Sequence, residues 1–252
     1  MPGSLYVVAL PIGDKNDITL RALEVLKSAD LLVAEESSTV RKIFHDYGFK
    51  TEFFLLNEHN EAKDASFVLE CLAKGENVAL ISDCGTPAFA DPGTILIDFC
   101  HRKNIRVIPV PGASSLLSAL SVSGFNIKKF YFAGFINLQK EARQSDWEFL
   151  KKKNETIVVM ETPYRIDLFF EELAIHFPER EICFCYKATM PEEIIKRGKA
   201  GALYKMIKEK ELKGEFVIVI NTNNRESSHT PDEAKKSKAA QNQTRRFAKS
   251  SK

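Results

Sequence analysis

Polar, glycine and proline residues that could hold a ligand gather in five short segments of the first half of the chain. The segments are residues 11–14, 35–38, 57–61, 82–87 and 111–115. Each follows an apolar run that is typical of a buried strand. Glycine lets a ligand approach the backbone closely, and the Asp83 carboxylate can accept hydrogen bonds from a hydroxyl or ammonium group. Any one segment also suits a plain turn, but five together predict a ligand site.

Several widespread catalytic signatures are missing from the sequence. It has no GxG, no GxxxxGK[ST], no HExxH and no GxSxG. These absences argue against a nicotinamide dehydrogenase of the usual kind, a P-loop kinase, a zincin and an esterase. The five cysteines are scattered without a CxxC, and no spacing suits a metal site. We therefore expect reduced thiols, a cytoplasmic protein and no bound metal.

The apolar pattern predicts the strands and helices around these segments. Runs at 5–10, 31–34, 53–56, 78–82 and 105–110 read as strands, with helix patterns between several of them. Nearly continuous apolar strands indicate a mostly parallel sheet that is buried on both faces. We predict that Asp91 and Pro92 begin one of the helices, with Asp91 as its N-cap. In such α/β sheets, ligands bind at the carboxyl ends of the strands, where all five segments fall.

The second half has fewer helices for each strand, which indicates a mixed sheet. Strands are predicted at 130–135, 156–160, 181–186, 192–197 and 215–220. The fold class is therefore α/β with two α/β domains, an N-terminal one with a mostly parallel sheet and a C-terminal one with a mixed sheet. We place these domains at 1–123 and 124–222, and a basic tail at 223–252.

Length, composition and charge agree with this division. The chain has 252 residues, of which 44% are apolar and 28% are charged, as expected for a globular protein. No apolar run approaches the roughly 20 residues that span a membrane, and the N-terminus does not resemble a signal peptide. Residues 223–252 contain eight Lys and Arg against three Asp and Glu, a charge of +5, which leaves −3 for residues 1–222. We expect the tail to be disordered, either holding nucleic acid loosely or simply solvated.

The motifs, taken in order, resemble a known family. They include LYVVALPIGD, NEHNE, LISDCGTPAFADPG, RVIPVPGASS, FAGF, ETPYR and KGEFVIVI, and they extend from about Leu5 to Ile220. This series is similar to the tetrapyrrole methylase superfamily. More narrowly, it resembles the enzymes that methylate a cytidine ribose 2′-hydroxyl in the decoding region of small-subunit ribosomal RNA.

The resemblance implies a cofactor, a set of site residues and an assembly. It implies that S-adenosylmethionine binds in a cleft between the two domains and that the chain forms a homodimer. The implied contacts to the cofactor are Pro11, Ser82, Asp83, Gly85, Ser114, Ser115, Met160 and Gly198. Met160 also suits a plain core position at the end of a strand.

The acceptor stays open at this stage, because the sequence departs from the ribosomal enzymes near the expected acceptor pocket. Their AEDTR is AEESS here, with Glu36 and Ser38, and their PGPSA is PGASS, with Ala113. A ribose hydroxyl gains from a general base. Glu36 and His59 are candidates for it, although each also suits a local structural role.

Three functions are therefore compared. The first is methylation of small-subunit ribosomal RNA, which the basic tail favours. The second is methylation of a small molecule, such as a porphyrinoid, which the acidic body and the missing arginine favour. The third is a binding protein without activity, against which the intact cofactor loops argue. The sequence leaves the acceptor, the general base and the dimer interface undetermined.

Overall fold

A computed structural model describes residues 1–57 and 61–222. The strands in this part of the chain are β1 (Ser4–Val8), β2 (Leu31–Ala34), β3 (Phe53–Leu55), β4 (Val78–Leu80), β5 (Arg106–Val110), β6 (Phe130–Phe135), β7 (Thr156–Glu161), β8 (Ile182–Tyr186), β9 (Ile194–Gly198) and β10 (Phe216–Ile220). The α-helices are α1 (Leu20–Ser28), α2 (Ser37–Tyr47), α3 (Glu61–Ala73), α4 (Thr94–Arg102), α5 (Ser115–Ser123), α6 (Lys140–Lys151), α7 (Ile166–His176) and α8 (Ala200–Glu209). The predicted strands are all confirmed, with ends shifted by at most two residues.

The first sheet is parallel throughout, with the order β3-β2-β4-β1-β5. One face, with Leu5, Val33 and Leu80, packs against α3 and α4. The other face packs against α1 and α2 through residues such as Val8 and Leu32. Burial of both faces explains why these strands lack the alternation of apolar and polar residues.

The second sheet is mixed, with the order β6-β7-β10-β8-β9. β6 and β7 are parallel, whereas β10 is antiparallel to β7 and β8, and β9 is antiparallel to β8. The carboxyl ends of β6, β7 and β8 therefore lie at the same edge as the amino ends of β9 and β10. The fold class predicted from the sequence is confirmed.

Helix α5 precedes the predicted domain boundary but packs on the second sheet. Its buried Leu116, Ala119 and Leu120 contact Val158 of β7 and Val219 of β10. The opposite face of that sheet holds α6, α7 and α8 around Trp147, Phe169 and Phe184. The chain thus crosses between the two sheets before α5, and the domain limits 123/124 stay a prediction.

Two local predictions differ from the structure. Helix α2 was not predicted, although Val40, Ile43 and Phe44 form its apolar stripe. Asp91 is not an N-cap: α4 begins at Thr94 after Gly93. The buried Glu61 carboxylate accepts hydrogen bonds from the Gly93 and Leu96 N–H groups at 3.1 and 3.0 Å. A carboxylate from α3 therefore satisfies the first turn of α4.

Several sequence predictions concern features outside these elements. The five cysteines are free thiols, as predicted. Across residues 1–57 and 61–222, no helix is long and apolar enough to cross a membrane. His59 and the tail at 223–252 lie outside the described residues.

Candidate functional site

A cavity of about 250 Å³ lies between the carboxyl edge of the first sheet and the matching edge of the second. We call it the central cavity. Gly85, Asp91 and Ser114 line it from the first half of the chain, and Met160 and Glu215 line it from the second. Each belongs to a segment that leaves or enters a strand at these two edges, so the sheet topology itself assembles the cavity.

The loops after β1 and β4 are joined at the wall of this cavity. Leu10 and Gly85 exchange two backbone hydrogen bonds, of 2.8 and 3.1 Å, which form an isolated antiparallel bridge. Gly85 has a φ of +69°, which disfavours a side chain there. An added Cβ would also lie 3.3 Å from Ile12 Cγ2. Glycine therefore brings the backbone of this loop to the cavity.

Helix α5 begins at the cavity. Ser114 is its N-cap, and Ser114 and Ser115 both line the cavity. The Ser114 hydroxyl accepts a long hydrogen bond of 3.5 Å from the Leu117 N–H group. The start of a helix presents unpaired N–H groups and a partial positive charge, which suit a carboxylate or another anion.

Three carboxylates line the central cavity: Asp91, Glu161 and Glu215. Burial raises the pKa of Asp91, a Ser82 hydrogen bond lowers it in part, and the nearby Asp83 raises it further. Burial together with Glu215, Asp91 and Asp83 raises the pKa of the Cys84 thiol to about 11. Cys84 is thus a protonated thiol at neutral pH, in a wall surrounded by negative charge.

Glu161 is held in a buried ion network behind the cavity. Its carboxylate lies 3.4 Å from Arg143 Nη1 and 2.5 Å from Arg165 Nη2. Arg143 also pairs with Glu172 at 2.7 Å, and Glu172 accepts a 2.9 Å hydrogen bond from the Trp147 indole. The network ties the end of β7 to α6 and α7, so it fixes the wall that Met160 and Glu161 form.

A second cavity, of about 360 Å³, adjoins the first. We call it the side cavity. Pro11, Lys42 and Asp83 line it, and it shares Cys84 and Glu215 with the central cavity. The Thr39 hydroxyl, on α2, donates a 2.6 Å hydrogen bond to the Asp83 carboxylate. Asp83 therefore faces the side cavity rather than the central one.

A short strap at residues 187–190 closes one side of both cavities. Lys187 and Thr189 have positive φ angles of 46° and 65°, an uncommon conformation for residues with side chains. Met190 lines the central and the side cavity. Lys187 also lines the central cavity, and its ammonium lies 3.9 Å from Glu192.

The structure brings together most of the predicted site residues. Gly85, Ser114, Ser115 and Met160 line the central cavity, and Pro11 and Asp83 line the side cavity. Ser82 is buried beneath the loop, where its hydroxyl donates to the Cys84 carbonyl at 3.0 Å.

Gly198 and Glu36 do not join this group. Gly198 pairs with Ile182 at the opposite edge of the second sheet and lines neither cavity. Glu36 is exposed, accepts a 3.1 Å hydrogen bond from Ser38 and lines neither cavity. We therefore leave both residues out of the site proposed below.

Sequence reasoning missed the carboxylates Asp91, Glu161 and Glu215. Glu215 could have been found from its position in KGEFVIVI, where it directly precedes the apolar strand β10. Among the described residues, no group of three His, Cys, Asp or Glu side chains could hold a metal ion.

The sequence profile of the tetrapyrrole (corrin/porphyrin) methylases matches residues 4–204. The chain belongs to this family. Membership in the tetrapyrrole methylase family makes it a methyltransferase, with a fold whose two sheets meet at the cavities described above.

The relatives of this chain include bacterial enzymes. The chain is 35% identical to ribosomal RNA small subunit methyltransferase I of Bacillus subtilis, over 89% of this chain and 77% of that protein. It is 37% identical to the protein of the same name from Leptospira biflexa, over 87% of this chain and 91% of that protein.

Solved structures with the same fold are more distant in sequence. A diphthine synthase superposes with a TM-score of 0.66 at 17% identity, covering 88% of this chain and 91% of that one. The uroporphyrin-III C-methyltransferase of Thermus thermophilus, complexed with S-adenosyl homocysteine, superposes with a TM-score of 0.59 at 19% identity. This superposition covers 87% of this chain and 97% of the Thermus thermophilus chain.

Proposed function

We propose that this methyltransferase transfers the methyl group of S-adenosylmethionine to a ribose 2′-hydroxyl of small-subunit ribosomal RNA. The observation that carries the proposal is the central cavity, whose carboxylates and apolar walls suit a methyl donor that is a cation. The acceptor is supported by the relatives of 35–37% identity that are named for the ribosomal small subunit.

The residues of the central cavity fit the donor in charge and in polarity. S-Adenosylmethionine carries a sulfonium, an ammonium and a carboxylate. Asp91 can offset the positive groups, because opposite charges in a partly buried cavity attract more strongly than in water. The start of α5, at Ser114, suits the carboxylate. Phe135 and Met160 supply apolar surface for the adenine ring.

The size of the site fits as well. The central cavity alone, at about 250 Å³, is slightly smaller than a typical ligand pocket of roughly 300–1,000 Å³. The side cavity adds about 360 Å³ and shares Cys84 and Glu215 with it. We propose that the central cavity holds the donor and that the side cavity admits the acceptor nucleotide.

The protein does not need to form a covalent bond with either reactant in this reaction. When bound, S-adenosylmethionine supplies a methyl group on a sulfonium, which needs no further activation. The loops after β1, β4 and β5 position the two reactants, and the strap at 187–190 limits the entry of water. Asp83, which the Thr39 hydroxyl holds in place, can accept a hydrogen bond from the acceptor in the side cavity.

A ribose hydroxyl also needs a proton acceptor as its oxygen attacks carbon. Glu215 is our candidate, because it lines both cavities, where donor and acceptor must meet. No hydrogen bond or ion pair occupies its carboxylate within the described part of the chain. Glu36 lies away from both cavities, so we no longer propose it for this role.

Methyl transfer assays test the proposal directly. Tritiated S-adenosylmethionine is offered with purified small subunits, with free ribosomal RNA and with a metabolite extract, side by side. We expect label in the RNA of the subunits. Label only in a small molecule would support the alternative function, a methylase of a porphyrinoid or another metabolite, and would overturn the RNA acceptor. The homodimer and the cytoplasmic location stay predictions.

A further inference from the structure

Lysine side chains gather at the edge of the second sheet that lies opposite the central cavity. One group immediately precedes β6, and the other lies between α6 and β7. Because β6 and β7 are paired in parallel from Phe130 and Thr156 onward, the two groups lie side by side. We call this surface the basic edge, and it consists of Lys128, Lys129, Lys152 and Lys153.

The lysines of the basic edge form no ion pairs within the described residues. Lys151, the neighbour of these lysines, pairs with Glu148 at 3.2 Å. For the four lysines themselves, no ion pair with a carboxylate is present in residues 1–57 and 61–222. Residues 1–222 together carry a net charge of −3. A cluster of four lysines is therefore opposite in sign to the net charge of this part of the chain. Glu155 is the acidic residue of the shallow 370 Å³ depression that Lys128 and Lys129 line.

A buried arginine fixes the part of the basic edge that contains Lys153. The Arg180 guanidinium donates to the carbonyls of Lys153, Glu155 and Asn221, at 3.1, 2.7 and 2.6 Å. Burial lowers the pKa of Arg180 to about 10, so the group stays charged at neutral pH. It therefore adds positive charge beneath the surface and fixes the 153–155 loop against the end of β10.

The described part of the chain ends at this surface. Thr222, the last described residue, lines the same depression as Lys128 and Lys129. Its hydroxyl donates a 2.6 Å hydrogen bond to the Asn154 carbonyl. The sequence that follows, 223–252, carries +5. A basic segment therefore follows Thr222 directly in the sequence.

Aromatic rings accompany the lysines. The Lys153 ammonium lies 4.6 Å from the centre of the Tyr131 ring and 4.3 Å from that of Phe149. Phe149 is 46% exposed and Phe130 is 40% exposed. Cations beside exposed aromatic rings are the combination that binds single-stranded RNA, through phosphates and stacked bases.

We propose that the basic edge is a docking surface for the phosphodiester backbone of RNA. The inference rests on the proposed function, because it assumes that the acceptor lies in RNA. The six residues of β7 place the basic edge about 20 Å from the central cavity. It therefore binds RNA outside the nucleotide that enters the cleft, and it contributes to affinity rather than to the chemistry.

Binding of the full-length chain to small-subunit ribosomal RNA, measured over a range of salt concentrations, tests this inference. The variant K128Q/K129Q is compared with K27Q/K74Q, which removes two exposed lysines from the first half of the chain. Each lost phosphate contact reduces the salt dependence of log Kd by about 0.7–0.9, so we expect a decrease of about 1.5 for K128Q/K129Q. At about 0.1 M salt, relative to 1 M, this corresponds to affinity that is roughly thirtyfold weaker.

The control variant is expected to bind RNA as the unchanged chain does, and both variants are expected to bind S-adenosylmethionine normally. If K128Q/K129Q and K27Q/K74Q bind RNA equally well, the docking surface is wrong. The same holds if K128Q/K129Q loses binding to phosphatidylserine vesicles but not to RNA. Absence of methyl transfer to RNA by the unchanged chain would instead overturn the proposed function, whatever the lysine variants do.

Discussion

The backbone N–H group of Asp14 donates a 3.0 Å hydrogen bond to the hydroxyl oxygen of Thr189, 175 residues later in the chain. This contact joins the loop after β1 in the first sheet to the strap after β8 in the second. The strap itself is fixed by a 2.8 Å hydrogen bond from the Thr189 N–H group to Glu193. The width of the cleft between the sheets is thus set partly by one pair of residues.

Gly13 must stay small for this contact to form. A Cβ at Gly13 would lie 2.6 Å from Thr189 Oγ1 and 2.7 Å from the Ala188 carbonyl oxygen. Gly13→Ala is therefore expected to push the strap away and to weaken S-adenosylmethionine binding by about tenfold, as overpacking costs of 1–3 kcal/mol imply. Calorimetric titration measures this. Gly201→Ala is the matched control, since nothing lies within 4 Å of its Cβ position. Equal affinity in both variants would refute the role of the strap.

Asp91 is expected to distinguish the methyl donor from its product. S-Adenosylmethionine carries a sulfonium, whereas S-adenosylhomocysteine has a neutral sulfur. Asp91→Asn should therefore weaken binding of the donor by about tenfold, or ~1.4 kcal/mol, and that of the product much less. Because burial raises the pKa of Asp91, the ionised carboxylate does not stabilise the fold, so the melting temperature should not fall.

The pH dependence of donor binding gives a second readout for the same residue. The raised pKa of Asp91 means that it becomes neutral at a higher pH than an ordinary aspartate. Affinity for the donor should therefore decrease as the pH falls through this range, and Asp91→Asn should lack that decrease. A pH profile that is identical in the variant and the unchanged chain would remove Asp91 from the donor site.

Glu215→Gln separates binding from chemistry. The amide keeps the size of the side chain but cannot take a proton from the acceptor. We expect unchanged binding of donor, product and RNA, with single-turnover methyl transfer slower by about a hundredfold. Weaker donor binding without a specific loss of rate would assign Glu215 to charge compensation instead of to proton transfer.

Glu61 tests a structural feature that is independent of function. Its carboxylate caps α4 from a distance of 32 residues in sequence. Glu61→Ala should reduce the free energy of unfolding by about 1–3 kcal/mol, because two buried N–H groups lose their acceptor. Glu61→Gln keeps an acceptor oxygen and should lose less. Denaturant unfolding measures both, and equal losses would show that the charge alone matters.

The strands could be predicted from the sequence because burial on both faces leaves uninterrupted apolar runs. The cap of α4 could not, because a local pattern favours Asp91 whereas the capping carboxylate comes from Glu61 in another helix. Helix α2 was missed because its polar, β-branched start at 37–40 reads as a loop, and its stripe becomes clear only beyond Val40.

The positions of Gly198 and Glu215 have one topological cause. We assumed that site residues follow strands, as they do in a parallel sheet. In the mixed second sheet, β10 is antiparallel to both β7 and β8, and β9 is antiparallel to β8. Gly198, the last residue of β9, therefore lies at the far edge, while Glu215, before β10, lies at the cavity. Strand direction, which the sequence does not reveal, decides both positions.

The most direct test of the proposed function is the chemical identity of the methylated product. Small subunits that lack the modification are incubated with the protein and S-adenosylmethionine, and their RNA is digested to nucleosides for mass spectrometry. We predict 2′-O-methylcytidine that appears with the unchanged chain and far more slowly with Glu215→Gln. A methyl group on a base, or subunit RNA that stays unmodified while a small molecule is methylated, would contradict the account.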